Sequence, residues 1–198
     1  MTRALVGFHG KLPNVGDFVQ RRLPTSFVDR WDAAMQSALA TVSAALGEGW
    51  REIFLASPPW RFALATEVCG QLPWVGVVMP SRDRVGRVYP LVLAVSPPQA
   101  TNGWPHMPAD RWFDALDAAA ARTREGIDVT MFDALVAMLP DPVSSTAQRV
   151  SPIVDPHVGS LWWRGDRSRP AVALPGLPNA ADYLRLLGIG IDIGEVTT

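Results

Sequence analysis

Cysteine and lysine are almost missing from this chain of 198 residues. Its one cysteine, Cys69, excludes an internal disulfide and a cluster of thiolate metal ligands, and it fits a reducing compartment. Its one lysine, Lys11, does not stand in the Gly-x-x-x-x-Gly-Lys-Ser/Thr pattern of a phosphate-binding loop, so nucleotide hydrolysis by that route is excluded. Nearly every positive charge is therefore an arginine, whose planar guanidinium suits bidentate contact with carboxylate or phosphate.

Long apolar runs are also missing. The most apolar stretches, Trp74–Met79 and Val88–Val95, fall far short of the roughly 20 residues that span a bilayer. The N-terminal residues reach glycines and Lys11 too early for the apolar segment of a signal peptide. With a net charge of −1 and the two signs interspersed, nothing favours nucleic acid as a partner. We therefore expect a soluble, cytoplasmic protein without membrane insertion.

Motifs of catalysis and metal binding are missing as well. The chain holds no Gly-x-Ser-x-Gly nucleophile turn, and the histidines His9, His106 and His157 are far apart, without a His-x-x-x-His pair. The dipeptide Asp-Gly, which metal-dependent protein phosphatases carry in clusters, does not occur. Cys69 beside Val68 is more typical of a small core residue than of a nucleophile. We expect no enzyme activity, no metal and no cofactor.

Apolar material, in contrast, is plentiful. Apolar residues make up 48% of the chain, and eight tryptophans and seven phenylalanines supply large surfaces to bury. A chain of this length is near the upper end of what one hydrophobic core supports. We predict a single domain over residues 1–198, with a core at 1–140 and a less regular C-terminal annex at 141–198.

Several segments show the periodicity of helices. In Thr25–Leu46 the apolar residues recur every three or four positions, which predicts a helix with one buried stripe. Ser26 is the expected N-cap of this helix and Gly47 its end. Further helices are predicted at Glu48–Ala56, Ala109–Arg124, Asp128–Leu139 and Asn179–Leu187.

Strands are predicted between and after these helices. The segments are Thr2–Phe8, Trp60–Ala65, Trp74–Met79 and Val88–Val95, with short apolar pieces at Ser160–Trp163 and Ala171–Leu174. A loop is expected over residues 7–17 and another at Ser96–Pro108, because both are dense in turn formers. The polar connector 80–87 favours a hairpin between two runs that are apolar at successive positions, which indicates central strands covered on both faces. The pattern predicts an α+β fold, a mainly antiparallel central sheet flanked by helices on both faces, whose element order resembles longin-like or profilin-like modules.

Four separated blocks carry a family resemblance. They read GFHGKLPNVGDFV at residues 7–19, WRFAL at 60–64, CG at 69–70 and MPSRDRVGRVYPL at 79–91, and SLWW at 160–163 and GLP at 176–178 agree with them. In this order the blocks resemble the TagF family, also called ImpM, of type VI secretion accessory proteins. The blocks are distributed along nearly the whole chain, and several separated matches in one order seldom occur by chance.

The resemblance implies a function without turnover. TagF-type proteins restrain assembly of the secretion apparatus after translation, acting through its forkhead-associated scaffold protein, Fha. Some relatives carry a fused protein phosphatase, and the missing Asp-Gly elements indicate the TagF portion alone. Two alternatives stay open: a longin-like adaptor that binds a small GTPase or another signalling protein, and an enzyme acting on peptidoglycan or a phosphorylated protein, which a deep pocket with converging titratable side chains would favour.

Six residues of the first loop and the hairpin connector are candidate partner-binding residues: Lys11, Asp17, Arg82, Asp83, Arg84 and Arg87. Asp83 is also expected to form an internal salt bridge. The glycines of the first loop, Gly7, Gly10 and Gly16, are expected to serve backbone geometry. Trp162 and Trp163 should point to opposite faces of a strand, one into the core and the other either under the tail or exposed as an interface candidate.

Overall fold

The structure is a computed structural model that describes residues 4–142, 155–165 and 171–189. The strands are β1 (Gly7–Lys11), β2 (Phe18–Arg21), β3 (Trp60–Leu64), β4 (Trp74–Met79), β5 (Leu91–Val95), β6 (Ala100–Thr101), β7 (Trp104–Pro105), β8 (Ser160–Trp163) and β9 (Val172–Leu174). The helices are α1 (Thr25–Leu46), α2 (Trp50–Ala56), α3 (Asp110–Ala121), α4 (Val129–Ala137) and α5 (Ala180–Leu186), and a 3-10 turn, Arg122–Glu125, follows α3.

Within the described residues, seven strands form one sheet in the order β2-β1-β5-β4-β3-β8-β9, and every neighbouring pair is antiparallel. The predicted hairpin is confirmed, since β4 and β5 pair from Val75 opposite Val95 to Met79 opposite Leu91. β4 lies at the centre of the sheet and is buried at every position, as its unbroken apolar sequence predicts. The strands β8 and β9, from the predicted annex, lengthen the same sheet.

Helices cover both faces of the sheet, so the predicted fold class is confirmed. On one face α1, α2 and α5 enclose a core with Phe27, Trp31 and Phe54. On the other face α3 and α4 enclose a second core with Trp112 and Phe132. Each large side chain buried in this way stabilises the fold by about 1.5–3 kcal/mol relative to exposure.

The longest helix has the predicted bounds but not the predicted N-cap residue. Gly47 ends α1, with φ 62° and an N–H that donates to the Ser43 carbonyl. Ser26, predicted as the N-cap, instead lies inside the first turn. Pro24 is the N-cap residue, and its carbonyl accepts from the N–H groups of Phe27 and Val28. Its ring holds φ at −71°, which sets the extended entry to the helix without a side-chain cap.

The first strand differs from its prediction. It was expected over Thr2–Phe8, with a loop at 7–17, but β1 covers Gly7–Lys11 and the missed strand β2 pairs with it. Gly10 explains the difference. It stands in β1 with φ 141°, so close to β5 that a Cβ there would lie 2.3 Å from the Pro90 carbonyl oxygen. Residues 1–3 lie outside the described part of the chain.

Two smaller segments also differ. The expected loop Ser96–Pro108 contains the short hairpin β6–β7, with Thr101 opposite Trp104. The run Val88–Val95 is a strand only from Leu91, because Pro90 has no N–H to donate to a ladder. Other predicted elements lie within two or three residues of the observed bounds.

Buried side chains on β8 and β3 link the sheet to both layers. Trp162 and Trp163 lie on opposite faces as predicted, but both are buried, so neither is the exposed interface residue that was considered. Arg61 on β3 is buried and binds Asp114 and Asp117 of α3 at 2.6 and 2.7 Å.

Cys69 is buried, and this burial raises the pKa of its thiol to about 12, although the positive charge of Arg30 opposes the increase. The thiol is therefore a neutral core group at physiological pH.

Candidate functional site

Two connectors meet at one end of the sheet. The β1–β2 connector follows Lys11 and the β4–β5 connector follows Met79. Because β1 and β4 both pair with β5, the sheet order brings these two connectors together. The Arg84 N–H donates to the Val15 carbonyl at 2.9 Å, and the Ser81 hydroxyl donates to the Lys11 carbonyl at 2.7 Å. We call the surface formed by residues 14–18 and 82–87 the two-loop surface.

A buried carboxylate holds the second connector in place. Asp83 Oδ1 accepts the backbone N–H groups of Val85 and Arg87 at 3.1 and 2.8 Å. Its Oδ2 lies 2.6 Å from Arg87 Nε and 3.1 Å from Lys11 Nζ. The Asp83 N–H in turn donates to the Arg87 carbonyl at 3.0 Å. The salt bridge predicted for Asp83 is therefore present, and it ties the connector to β1.

The charge of Asp83 is stabilised in spite of its burial. Burial alone raises the pKa of a carboxyl, but the Arg87 N–H, the Arg87 guanidinium and the Lys11 ammonium outweigh it. Together they hold the pKa of Asp83 well below its usual range. Asp83 is thus an ionised, fully paired anchor that two cations neutralise.

Two arginines converge on Gly16. Arg87 donates from Nη2 to the Gly16 carbonyl, and Arg84 Nη2 lies 3.6 Å from the position that a Cβ of Gly16 would take. Both side chains are exposed, and the Arg87 side chain is 61% exposed although it binds Asp83. Two guanidinium groups are therefore presented to solvent in a geometry set by the backbone of the first connector.

Apolar side chains complete the two-loop surface. Phe18, at the start of the edge strand β2, is 41% exposed, and Val85, at the tip of the second connector, is 67% exposed. Neither residue was predicted from the sequence as part of a binding surface. The one available signal was a valine placed between charged residues in a polar connector. The Phe18 ring stacks on His9 with 5.5 Å between centroids, and Lys11 Nζ lies 5.2 Å from its centre.

The structure divides the six candidate residues into two groups. Asp17, Arg82, Arg84 and Arg87 are exposed on the two-loop surface, whereas Lys11 and Asp83 are buried beneath it. Asp17 Oδ1 accepts the N–H of Phe18 at 2.8 Å. Lys11 and Asp83 thus act on the surface from below, because a docking partner meets only the exposed side chains.

A polar cluster lies behind Phe18. The Tyr89 hydroxyl donates to Asp32 Oδ1 at 2.7 Å, and His9 Nε2 lies 3.8 Å from the same oxygen. Both ring nitrogens of His9 are buried, and neither has a hydrogen-bond partner in the part of the chain that the structure describes. Burial lowers the pKa of His9, and the nearby Asp32 carboxylate opposes this only in part. His9 is therefore neutral at physiological pH, which suits its stacking against Phe18.

A separate cavity of about 1090 Å³ lies between α1 and the loops that precede β8 and follow β9. Its rim carries the titratable residues Arg30, Glu67, Asp155 and His157. Glu67 and Asn102, which both line the cavity, have left-handed backbones with φ 71° and 51°. Within residues 4–142, 155–165 and 171–189 there is no group of three or more His, Cys, Asp or Glu side chains placed to hold a metal ion.

The comparisons with known proteins agree with this architecture. Residues 7–139 match the family model described as "TagF N-terminal domain, Type VI secretion system-associated". The chain belongs to the TagF family. It is accordingly a type VI secretion-associated protein. Both connectors of the two-loop surface lie inside the matched range, whereas the cavity draws part of its lining from residues 155–177, beyond it.

A solved structure resembles nearly the whole chain. The crystal structure of PA0076 from Pseudomonas aeruginosa PAO1 shares 35% identity and a TM-score of 0.77 with it. The match covers 98% of this chain and 99% of that one. A search of curated proteins found no match. Among the helices of the described residues, none has the length and apolar character needed to cross a bilayer.

Proposed function

We propose that this TagF-family chain is a cytoplasmic, non-catalytic repressor of type VI secretion assembly. It acts after translation, by binding an Fha-type scaffold protein and keeping that scaffold from the secretion apparatus. Family membership supports the association with type VI secretion. The partner and the direction of the effect are the parts that this proposal adds.

The observation that carries the proposal is the pre-formed two-loop surface. Asp83, with Lys11 and Arg87, fixes one connector from below, and Arg84 fixes it to the other through the Val15 carbonyl. A surface whose loops are already ordered loses less conformational freedom on binding, so more of its contact energy appears as affinity. The exposed arginines and Phe18 are of residue types that are enriched at protein–protein interfaces, and exposed Val85 adds apolar area to the same surface.

A catalytic role has weaker support. A nucleophilic cysteine needs a lowered pKa, whereas burial raises the pKa of Cys69 to about 12. The cavity beside α1 does bring Glu67, Asp155 and His157 to one rim. The His157 backbone N–H donates to Asp155 Oδ1 at 2.9 Å, which is a loop contact and not a base paired with a nucleophile. We therefore place the function in binding.

The proposal is tested by titrating the full chain with a purified Fha-type scaffold, using calorimetry. We expect a dissociation constant in the micromolar range or tighter. The Arg84→Ala variant should bind about 10-fold more weakly, because one interfacial arginine with charge-assisted contacts commonly contributes this much. The matched control is Arg111→Ala, which removes an exposed arginine on α3, outside the two-loop surface.

Two results would count against the proposal. One is a wild-type chain that does not bind the scaffold at micromolar concentration, above all if it binds a small GTPase in the same assay. The other is turnover of peptidoglycan fragments or of a phosphorylated scaffold that is lost in the Glu67→Gln or His157→Gln variant. In cells, deletion of the gene should increase the number of assembled secretion machines, counted by fluorescence of a labelled sheath protein.

A further inference from the structure

We infer that the two-loop surface recognises an acidic segment of its protein partner, with a carboxylate bound between Arg84 and Arg87 and an apolar side chain packed on Phe18 and Val85. The inference rests on the proposed function, because it names the chemistry that this surface reads in its partner.

Local charge is the first argument. The exposed charges of the surface are Arg82, Arg84 and Arg87 against Asp17. Asp83 adds no free negative charge, because Lys11 and Arg87 bind its carboxylate. The surface is thus positive on a chain whose net charge is −1. A positive patch on a nearly neutral protein directs encounter with an acidic partner and disfavours a basic one.

The arrangement of the two guanidinium groups is the second argument. Arg87 uses Nε for Asp83 and Nη2 for the Gly16 carbonyl, so with respect to the described residues its Nη1 donors and one Nη2 donor remain available on a side chain that is 61% exposed. Arg84 lies against the same glycine. Because these contacts already fix Arg87, little further side-chain entropy is lost when a carboxylate binds. A carboxylate can accept from both groups at once, which is the geometry that arginine provides and lysine does not.

The glycine itself fits this role. Among the atoms of the described residues, a Cβ at Gly16 would meet only Arg84 Nη2, at 3.6 Å, and Gly16 does not have the positive φ seen at Gly10. Neither packing nor backbone conformation therefore explains why residue 16 lacks a side chain. Absence of a side chain leaves the space beside Arg84 Nη2 open to a ligand.

Apolar area on the same surface indicates a peptide instead of a small anion. Phe18 and Val85 are both more than one third exposed; Val85 follows Arg84 in the second connector, and Phe18 ends the first connector, which the Arg84 N–H contacts at Val15. The Phe18 ring is held from behind by His9 and Tyr89, with centroids at 5.5 and 4.8 Å, so it is a rigid contact face. A free carboxylate or phosphate gains nothing from such a face, whereas an acidic segment with one leucine or phenylalanine does.

The test uses two fluorescent peptides of equal length, one alternating Glu and Leu and the other Gln and Leu, titrated against the full chain by anisotropy. We expect the Glu peptide to bind at least about 10-fold more tightly than the Gln peptide, since one bidentate charged contact separates them. Raising the salt from 50 to 300 mM should reduce that difference, because the contacts are exposed.

Paired variants decide where the peptide binds. Arg82→Glu with Arg84→Glu should weaken the Glu peptide by about 10- to 100-fold, whereas Arg51→Glu with Arg111→Glu, which changes two exposed arginines on α2 and α3, should leave it within about twofold. Val85→Ser should weaken binding about threefold and leave thermal unfolding unchanged, because this side chain is largely exposed. Equal binding of the two peptides, or an equal loss in both double variants, overturns the inference. Binding of single-stranded DNA as tight as the Glu peptide, with the same arginine dependence, overturns it as well.

The scaffold titration separates this inference from the proposed function. If the scaffold binds the wild type and the Arg82→Glu, Arg84→Glu variant equally, the scaffold docks elsewhere, so the inference fails and the proposed function stands. If the scaffold does not bind but the Glu peptide binds with the predicted arginine dependence, the inference stands and the proposed partner is wrong.

Discussion

The carboxylate of Asp83 lies 3.1 Å from the ammonium group of Lys11, and both side chains are buried beneath the exposed arginines. The only lysine of the chain is therefore an internal counter-ion. A buried ion pair adds little net stability, because desolvation offsets the attraction, but loss of one partner leaves the other charge uncompensated. The pair fixes the position of the second connector relative to β1.

Asp83→Asn is expected to destabilise the fold by about 3–5 kcal/mol, the usual effect of breaking a buried charge pair. The amide cannot neutralise Lys11, and its NH2 group would face donors on Arg87. Chemical denaturation with linear extrapolation measures the change. The matched control is Asp29→Asn on α1, an exposed carboxylate, which should change the unfolding free energy by less than about 0.5 kcal/mol. Equal effects of the two substitutions would show that Asp83 does not anchor the connector.

Asp83 should also set part of the acid stability. Because the folded state lowers the pKa of Asp83 below its unfolded value of about 3.9, the contribution is complete above that value and is lost as the pH falls below it. The difference in unfolding free energy between wild type and Asp83→Asn should be constant from pH 5 to 7 and shrink below about pH 4. Denaturant midpoints at each pH give this difference. A difference in unfolding free energy that stays constant down to pH 3 would contradict the lowered pKa of Asp83.

His9 predicts a second pH effect, at higher pH. Its pKa is lowered in the folded state by burial, so below the unfolded value of about 6.5 the unfolded chain takes up a proton that the folded chain does not. Stability should therefore fall as the pH drops from 7 to 5. His9→Phe, which keeps a ring against Phe18, should flatten this slope, and exposed His157→Gln should leave it unchanged. A slope that persists in His9→Phe would assign the effect to other groups.

Two glycines of the first block should respond differently to alanine. Gly10→Ala places a Cβ 2.3 Å from the Pro90 carbonyl oxygen at a φ of 141°, and strain together with overpacking should cost about 2–5 kcal/mol. Gly16→Ala meets one atom at ordinary contact distance and should change stability by less than about 1 kcal/mol. Thermal unfolding of both variants measures this contrast. If Gly16→Ala proves as damaging as Gly10→Ala, residue 16 has a structural role that the contacts do not show.

Periodicity and turn chemistry predicted most of the fold. The stripe over Thr25–Leu46 gave the bounds of α1, and the unbroken apolar runs gave a hairpin covered on both faces. Local patterns failed where long-range packing decides the conformation. The residues Gly7–Lys11 resemble a loop because they contain two glycines, yet they form a strand that pairs with β2 and β5, and the close approach of the chain at Pro90 explains why residue 10 is a glycine. The N-cap of α1 is Pro24 and not Ser26, because the extended backbone that leads from β2 into the helix ends at Pro24.

The sequence predicted which charged residues form the candidate site but not which of them are buried. The sequence placed Lys11, Asp83 and the arginines in two blocks, and a charged residue in a connector is usually exposed. Only the sheet order shows that Lys11, on a strand beside β5, points its ammonium under the neighbouring connector toward Asp83. Phe18 and Val85 escaped notice because a single apolar residue in a sequence carries no information on exposure.

The sequence by itself determined the family, the α+β class and the two blocks that carry the candidate surface, because these depend on residue identity and on spacing along the chain. Tertiary structure alone decided which charges are paired inside and which face solvent. The reason is physical: burial and pairing arise from contacts between residues about 70 positions apart, such as the Ser81 hydroxyl and the Lys11 carbonyl, and a linear pattern does not record such distances.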